Sequence, residues 1–223
     1  MQPDRHQPRG RAAAASRAAC AFLAFVLAAC ASQRSAAPSG EADEWLSPSP
    51  VLRQQIEEEI KRLPWTHGTE KVEQIRWFAS IGEAAYSRLL ELCLDPRPEV
   101  AGSAIAALGA TGDSRLVEPM HALDWPDELA LEVSFERARA FLRLGDWSEV
   151  DRLVAGLRSE VLWARAWCGQ ALYEATHERF GFEPRAHAEA REAAVKRWEE
   201  WLRARQGEGI LTGARPKSCP GSR

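Results

Sequence analysis

Side chains able to do chemistry are few and scattered. Beyond the first thirty residues the histidines are His67, His121, His177 and His187, none in the His-Glu-x-x-His spacing that sets two imidazoles on one helix face. His177, Glu178, Glu183 and His187 would meet around a metal only if the segment Phe180-Gly181-Phe182-Glu183-Pro184 folded back, and no spacing demands that. The chain has no Gly-x-Ser-x-Gly elbow, no phosphate-binding glycine loop and no Cys-x-x-Cys. No carboxylate pair stands apart from an ordinary solvated helix face. No catalytic residue, metal or cofactor is therefore assigned, and a non-enzymatic role is expected.

Aromatic residues offer the other route to function, because the chain carries nine Trp. Trp77, Trp167, Trp198 and Trp201 fall in apolar helical stripes and are expected in the core. Trp125, Trp147 and Trp163 lie at helix ends, in turns or beside a stripe, where a contact surface is more natural. Glu136 and Arg139 read as the exposed side of a helix from Asp127 to Leu144, opposite Leu131, Val133, Ala138, Phe141 and Leu142. Glu136, Arg139, Trp147 and Trp163 form the candidate contact set.

The elements that must position these residues are helices. Between Gly82 and Asp113 two amphipathic stretches flank the turn Asp95-Pro96-Arg97-Pro98: Tyr86, Leu89, Leu90, Cys93 and Leu94 on the first, Val100, Ala104, Ala107 and Leu108 on the second. The small residues of the second allow close backbone approach. A shift of 33 residues carries Val100 onto Val133, Ala107 onto Ala140 and Gly112-Asp113 onto Gly145-Asp146. A looser third unit ends in Ala171-Leu172. One such pair cannot bury both its apolar faces, so neighbours must stack on it. The expected fold is all-α: a short α-solenoid of antiparallel helix pairs with a C-terminal capping helix.

The central text, Leu89-Leu90-Glu91-Leu92, Asp95-Pro96-Arg97-Pro98-Glu99-Val100, Ala107-Leu108-Gly109, Gly112-Asp113 and Leu116-Val117-Glu118-Pro119-Met120, resembles bacterial HEAT-type repeats of the class related to phycobilisome lyases. The match covers about residues 82 to 123. The Arg that follows the Val in that class is Ala101 and Ser134 in the first two units and Arg165 in the third. The repeats are placed at 82–112, 113–145 and 146–177. Ahead of them, Pro50 to Leu63, capped by Ser49, and Gly68 to Ile81 read as a degenerate unit. Behind them, 180–206 is similar to a segment that closes many exported HEAT-type proteins, with paired Trp on its helix.

The N-terminus reads as an export signal. Arg5, Arg9, Arg11 and Arg17 precede an apolar run from Ala18 to Ala29, shorter than the roughly 20 residues a spanning helix needs. Leu27-Ala28-Ala29-Cys30 resembles a bacterial lipobox, which implies that residues 1–29 are removed and that Cys30 bears lipid. Ala31 in place of Asp implies the outer membrane, facing the periplasm. The following stretch to residue 49, rich in Ala, Ser and Pro, reads as a flexible tether on which Trp45 and Leu46 dock against the first helix. Residues 207–223 read as a disordered tail. Cys93 and Cys168 fall on apolar faces and read as core filler.

Losing four Arg and one Asp with the signal takes the formal charge from −3 to about −6, which offers nucleic acid no electrostatic footprint. The implied partners are a lipid bilayer, through Cys30, and an unidentified envelope protein. A lyase-like enzyme subunit and a glycan or peptidoglycan binder with Trp rims are the alternatives. The resemblance carries fold further than function.

Overall fold

The computed structural model describes residues 45–207; the signal segment, Cys30, most of the tether and the tail from 208 lie outside the described residues. Those described are helical, with no strand among them. The helices are α1 (Pro50–Arg62), α2 (Gly68–Ile81), α3 (Glu83–Leu92), α4 (Pro98–Thr111), α5 (Val117–His121), α6 (Leu131–Arg143), α7 (Val150–Gly156), α8 (Leu162–Thr176) and α9 (Ala188–Gly207). None is long and apolar enough to cross a membrane.

Local chemistry sets the starts and stops. Ser49 Oγ accepts the amide of Leu52, and Pro50 opens α1, a cap that contributes about 1 kcal/mol. Pro98 opens α4, and Gly112 closes it in the left-handed conformation, φ 67°. Asp113 then accepts the amide of Arg115 and turns the chain into the next short helix. The same device recurs 33 residues on, where Gly145 has φ 89° and Asp146 accepts the amide of Ser148. The third unit ends on a left-handed residue too, but it is His177, φ 59°.

Packing follows an alternating order. Neighbours in sequence pack as pairs, α3 with α4 and α7 with α8, while α2, α4, α6 and α8 contact one another in succession as a continuous row. The tightest join is α4 against α6, where Gly109 lies against Ala140. Small residues there let the backbones close, as the sequence implied. Two apolar clusters result, one from Trp45 to Leu144 and a second joining α6 to α9 around Leu153, Cys168, Phe182 and Trp198. Arg165 ties α8 to the segment ahead of α9 by donating to the carbonyls of Ser159, Glu160 and Pro184.

Three expectations need correction. The helix expected from Asp127 begins at Leu131, which is exposed, because Pro126 to Ala130 forms a non-helical approach. Leu94, placed in a buried stripe, is also exposed at the turn. Trp45 docks as expected: it is buried, edge-on to Tyr86 at 5.0 Å, with the Arg115 guanidinium over its ring. The ring it meets, Tyr86, is on α3, while Leu46, expected to dock beside it, stays exposed.

Cys93 and Cys168 are buried free thiols, as the stripes implied. Desolvation disfavours the thiolate of both, pushing Cys168 up to about 12 and Cys93 further. Neither is a nucleophile at neutral pH.

Candidate functional site

A groove of about 460 Å³ runs along the row of alternating helices, within the range usual for ligand sites. Each helix contributes residues three or four apart, the spacing of a single face. α2 gives Lys71, Val72, Ile75 and Arg76; α4 gives Glu99, Gly102, Ala106 and Ala110; α6 gives Glu132, Glu136, Arg139 and Arg143; α8 gives Trp163 and Trp167. The α4 contribution is nearly bare backbone, which leaves room between the flanking side chains. A Cβ added to Gly102 would meet nothing within 4 Å.

Aromatic and charged groups wall the space. Trp163 and Trp167, one turn apart on α8, are 47% and 42% exposed. The Arg139 guanidinium stacks 4.8 Å from the centre of the Trp167 ring and donates two arms to Glu174, Nη2 to Oε1 at 2.9 Å and Nε to Oε2 at 3.3 Å. Arg143 donates to the same carboxylate at 2.8 Å. Burial pushes the Glu174 carboxyl upward, but Arg139 and Arg143 outweigh it and hold the group below its ordinary range. The stacked, bidentate Arg139 therefore fixes the orientation of Trp167 before any ligand arrives.

Glu136 is the anomaly of the site. Its residue is only 5% exposed although it lines the groove, and Oε1 has no hydrogen-bond partner among the described residues. Oε2 lies 3.7 Å from Arg139 Nη1. Desolvation raises its carboxyl above the ordinary range, against the pull of Arg139, Arg143 and Lys71. An acid whose folded pKa is raised binds its proton more tightly in the native state. Its ionisation therefore lowers stability as pH rises through that folded pKa, and the penalty is relieved as pH falls. Glu136→Gln is expected to leave stability unchanged or raise it by about 1 kcal/mol near neutral pH. That advantage should shrink as the pH is lowered from neutral to a mildly acidic value, because the wild-type carboxyl takes up its proton. Urea unfolding of both proteins at the two pH values measures it, and an advantage that grew on acidification would refute the sign.

Of the four sequence candidates, Glu136, Arg139 and Trp163 converge on this groove. Glu136 does so as a buried group and not, as expected, an exposed one. α6 packs against α4, α7 and α8 at once, so little of it remains free. Trp147 belongs elsewhere: it is partly buried in the second core, 6.2 Å from the ring of Trp201. Trp167, expected in the core, is instead a groove wall, while Trp198 is buried and Trp77 and Trp201 partly so. Lys71, Val72, Arg76 and Gly102 went unread as site residues, since only the meeting of four helices makes them neighbours.

The remaining polar residues do not gather into a centre. Among the described residues no group of three or more His, Cys, Asp or Glu side chains is placed to hold a metal ion. Trp125 donates to the Met120 carbonyl at 2.9 Å and carries Arg137 on its ring, so it is engaged in structure. A second, polar cavity of about 350 Å³ includes Ser134, Arg137 and Arg152. Its arginines are already paired, Arg137 with Glu149 and Arg152 with Ser134 and Glu149. No protein-family model matches the chain, and no curated protein matches it significantly.

Proposed function

We propose that this chain is a membrane-tethered docking module of the bacterial envelope, a non-catalytic scaffold or adaptor. In this reading it is a short HEAT-like solenoid held to the bilayer by an acylated Cys30, on the outer membrane facing the periplasm. The groove across α2, α4, α6 and α8 receives a segment of a partner protein. The observation that carries the reading is the pair of half-exposed indole rings, Trp163 and Trp167, beside a base of small residues. Exposed apolar surface of this kind, rimmed by charge, marks an interaction site. The lipid anchor rests on the order basic segment, apolar run, Leu-Ala-Ala-Cys in the sequence.

The test is photocrosslinking in intact native cells, with a photoreactive residue at Trp163, at Arg76 or, as an off-site control, at Trp147. A dominant protein adduct from Trp163 and Arg76, absent from Trp147 and abolished by Gly102→Leu, is expected. The leucine side chain enters open groove space and improves helix propensity by about 0.5–1 kcal/mol, so it blocks the groove while α4 persists. Adducts confined to glycan would move the assignment to a sugar binder, and adducts indifferent to Gly102→Leu would sink the groove as the dock.

A further inference from the structure

We propose that the partner segment is acidic as well as apolar, seating a large apolar side chain against Trp163 and the bare face of α4 while a carboxylate meets Lys71 and Arg76. This rests on the docking reading and adds to it the chemistry of the occupant.

The apolar half follows from where exposed hydrophobic surface lies. Val72, Trp163 and Trp167 are exposed and line the groove, and Leu131 and Leu162, also exposed, adjoin lining residues in sequence. Gly102, Ala106 and Ala110 leave the volume that an incoming side chain would fill. The row from α2 to α8 spans three interhelical steps of about 8–10 Å each, roughly 25–30 Å in all. About eight extended residues cover that distance, so a segment matches the row better than a lone small molecule does.

The acidic half follows from which charges are already answered. Arg139 and Arg143 share the carboxylate of Glu174, and Glu136 Oε2 lies 3.7 Å from Arg139 Nη1. Glu99 and Glu132 stand in the first turns of α4 and α6, where the helix N-terminus favours a negative charge. Lys71 and Arg76 make no side-chain hydrogen bond or ion pair among the described residues, and Lys71 sits near the N-terminus of α2, where a cation gains nothing. The α2 wall thus carries two cations that no side chain pairs, and a carboxylate of the partner would answer them. A basic segment would be repelled by them.

The experiment pans the full chain, solubilised in detergent, against a phage-displayed library of random peptides. Enriched peptides are then measured by fluorescence anisotropy against wild type, Gly102→Leu and the double charge reversal Lys71→Glu with Arg76→Glu. The expected winners combine aromatic or aliphatic residues with Asp or Glu, are lost on Gly102→Leu, and weaken roughly tenfold on charge reversal and at high salt. Winners that need the open groove but are neutral or basic, and ignore the charge reversal, overturn the acidic occupant and leave the dock standing. Winners indifferent to Gly102→Leu, or no enrichment over an unrelated helical protein, overturn the docking reading itself.

Discussion

Gly109→Val is expected to abolish cooperative folding near physiological temperature, and Gly109→Ala to cost about 2–4 kcal/mol. A Cβ at this position would stand 2.7 Å from Ala140 Cα and 2.8 Å from Ala140 Cβ. One of the obstructing atoms is backbone and the other is a Cβ, so no rotamer change relieves the clash. α4 and α6 must separate, and that join lies at the middle of the row formed by α2, α4, α6 and α8. Separation would open the core around Val100, Ala104, Ala107, Leu108 and Phe141, all fully buried, and pull apart the base and wall of the groove. A domain stable by about 5–15 kcal/mol does not absorb a valine there easily. Denaturant unfolding followed by circular dichroism measures the loss. Gly102→Ala is the internal control, on the same helix but facing open space, and should be neutral or stabilising by up to about 1 kcal/mol. Equal effects at the two glycines would show that the close approach is not what Gly109 provides.

The second large effect is expected at Trp198. It is 1% exposed, the largest of the fully buried side chains, with Phe180 edge-on at 4.7 Å and Trp201 at 5.6 Å. It joins α9 and the Phe180 loop to the cluster that contains Leu153, Leu157 and Cys168. Trp198→Ala should cost about 3–5 kcal/mol through the cavity it leaves. Its indole N–H, however, has no partner among the described residues. Trp198→Phe removes that orphaned donor along with some volume, so the two effects oppose each other and the cost should fall to about 1 kcal/mol. Melting temperatures of the two variants check the order. A phenylalanine variant as damaged as the alanine one would mean that the indole donor is satisfied.

The HEAT-like reading and the positions of the helices rest on different grounds. Ser49, Pro50, Pro98, Gly112 and Asp113 act on the residues beside them, and the helices they bound lie where those signals put them. The late start of α6 was less readable, since no cap residue marks Leu131; its N-cap is Ala130, without a side-chain bond. Buried faces were harder still. On α4 Val100, Ala101, Ala104, Ile105, Ala107 and Leu108 are all buried, because α2, α3 and α6 press on it from different sides. A single stripe does not describe such a helix. α8 has apolar residues around much of its circumference, so its pattern could not separate Trp167, a groove wall, from Cys168, a core residue.

The sequence by itself determined the all-helical class, most helix limits and the recurrence of the Gly-Asp stop at 33 residues. These depend on caps, breakers and periodicity acting within one or two turns of chain. Only the tertiary structure decided what the helices leave open. It buried Glu136, turned Trp167 outward beneath Arg139, withdrew Trp147 to the second core, and assembled one groove from residues between Lys71 and Trp167. The physical reason is that exposure is fixed by the neighbours a helix face acquires, and those neighbours lie roughly thirty residues away, beyond the range of any local signal.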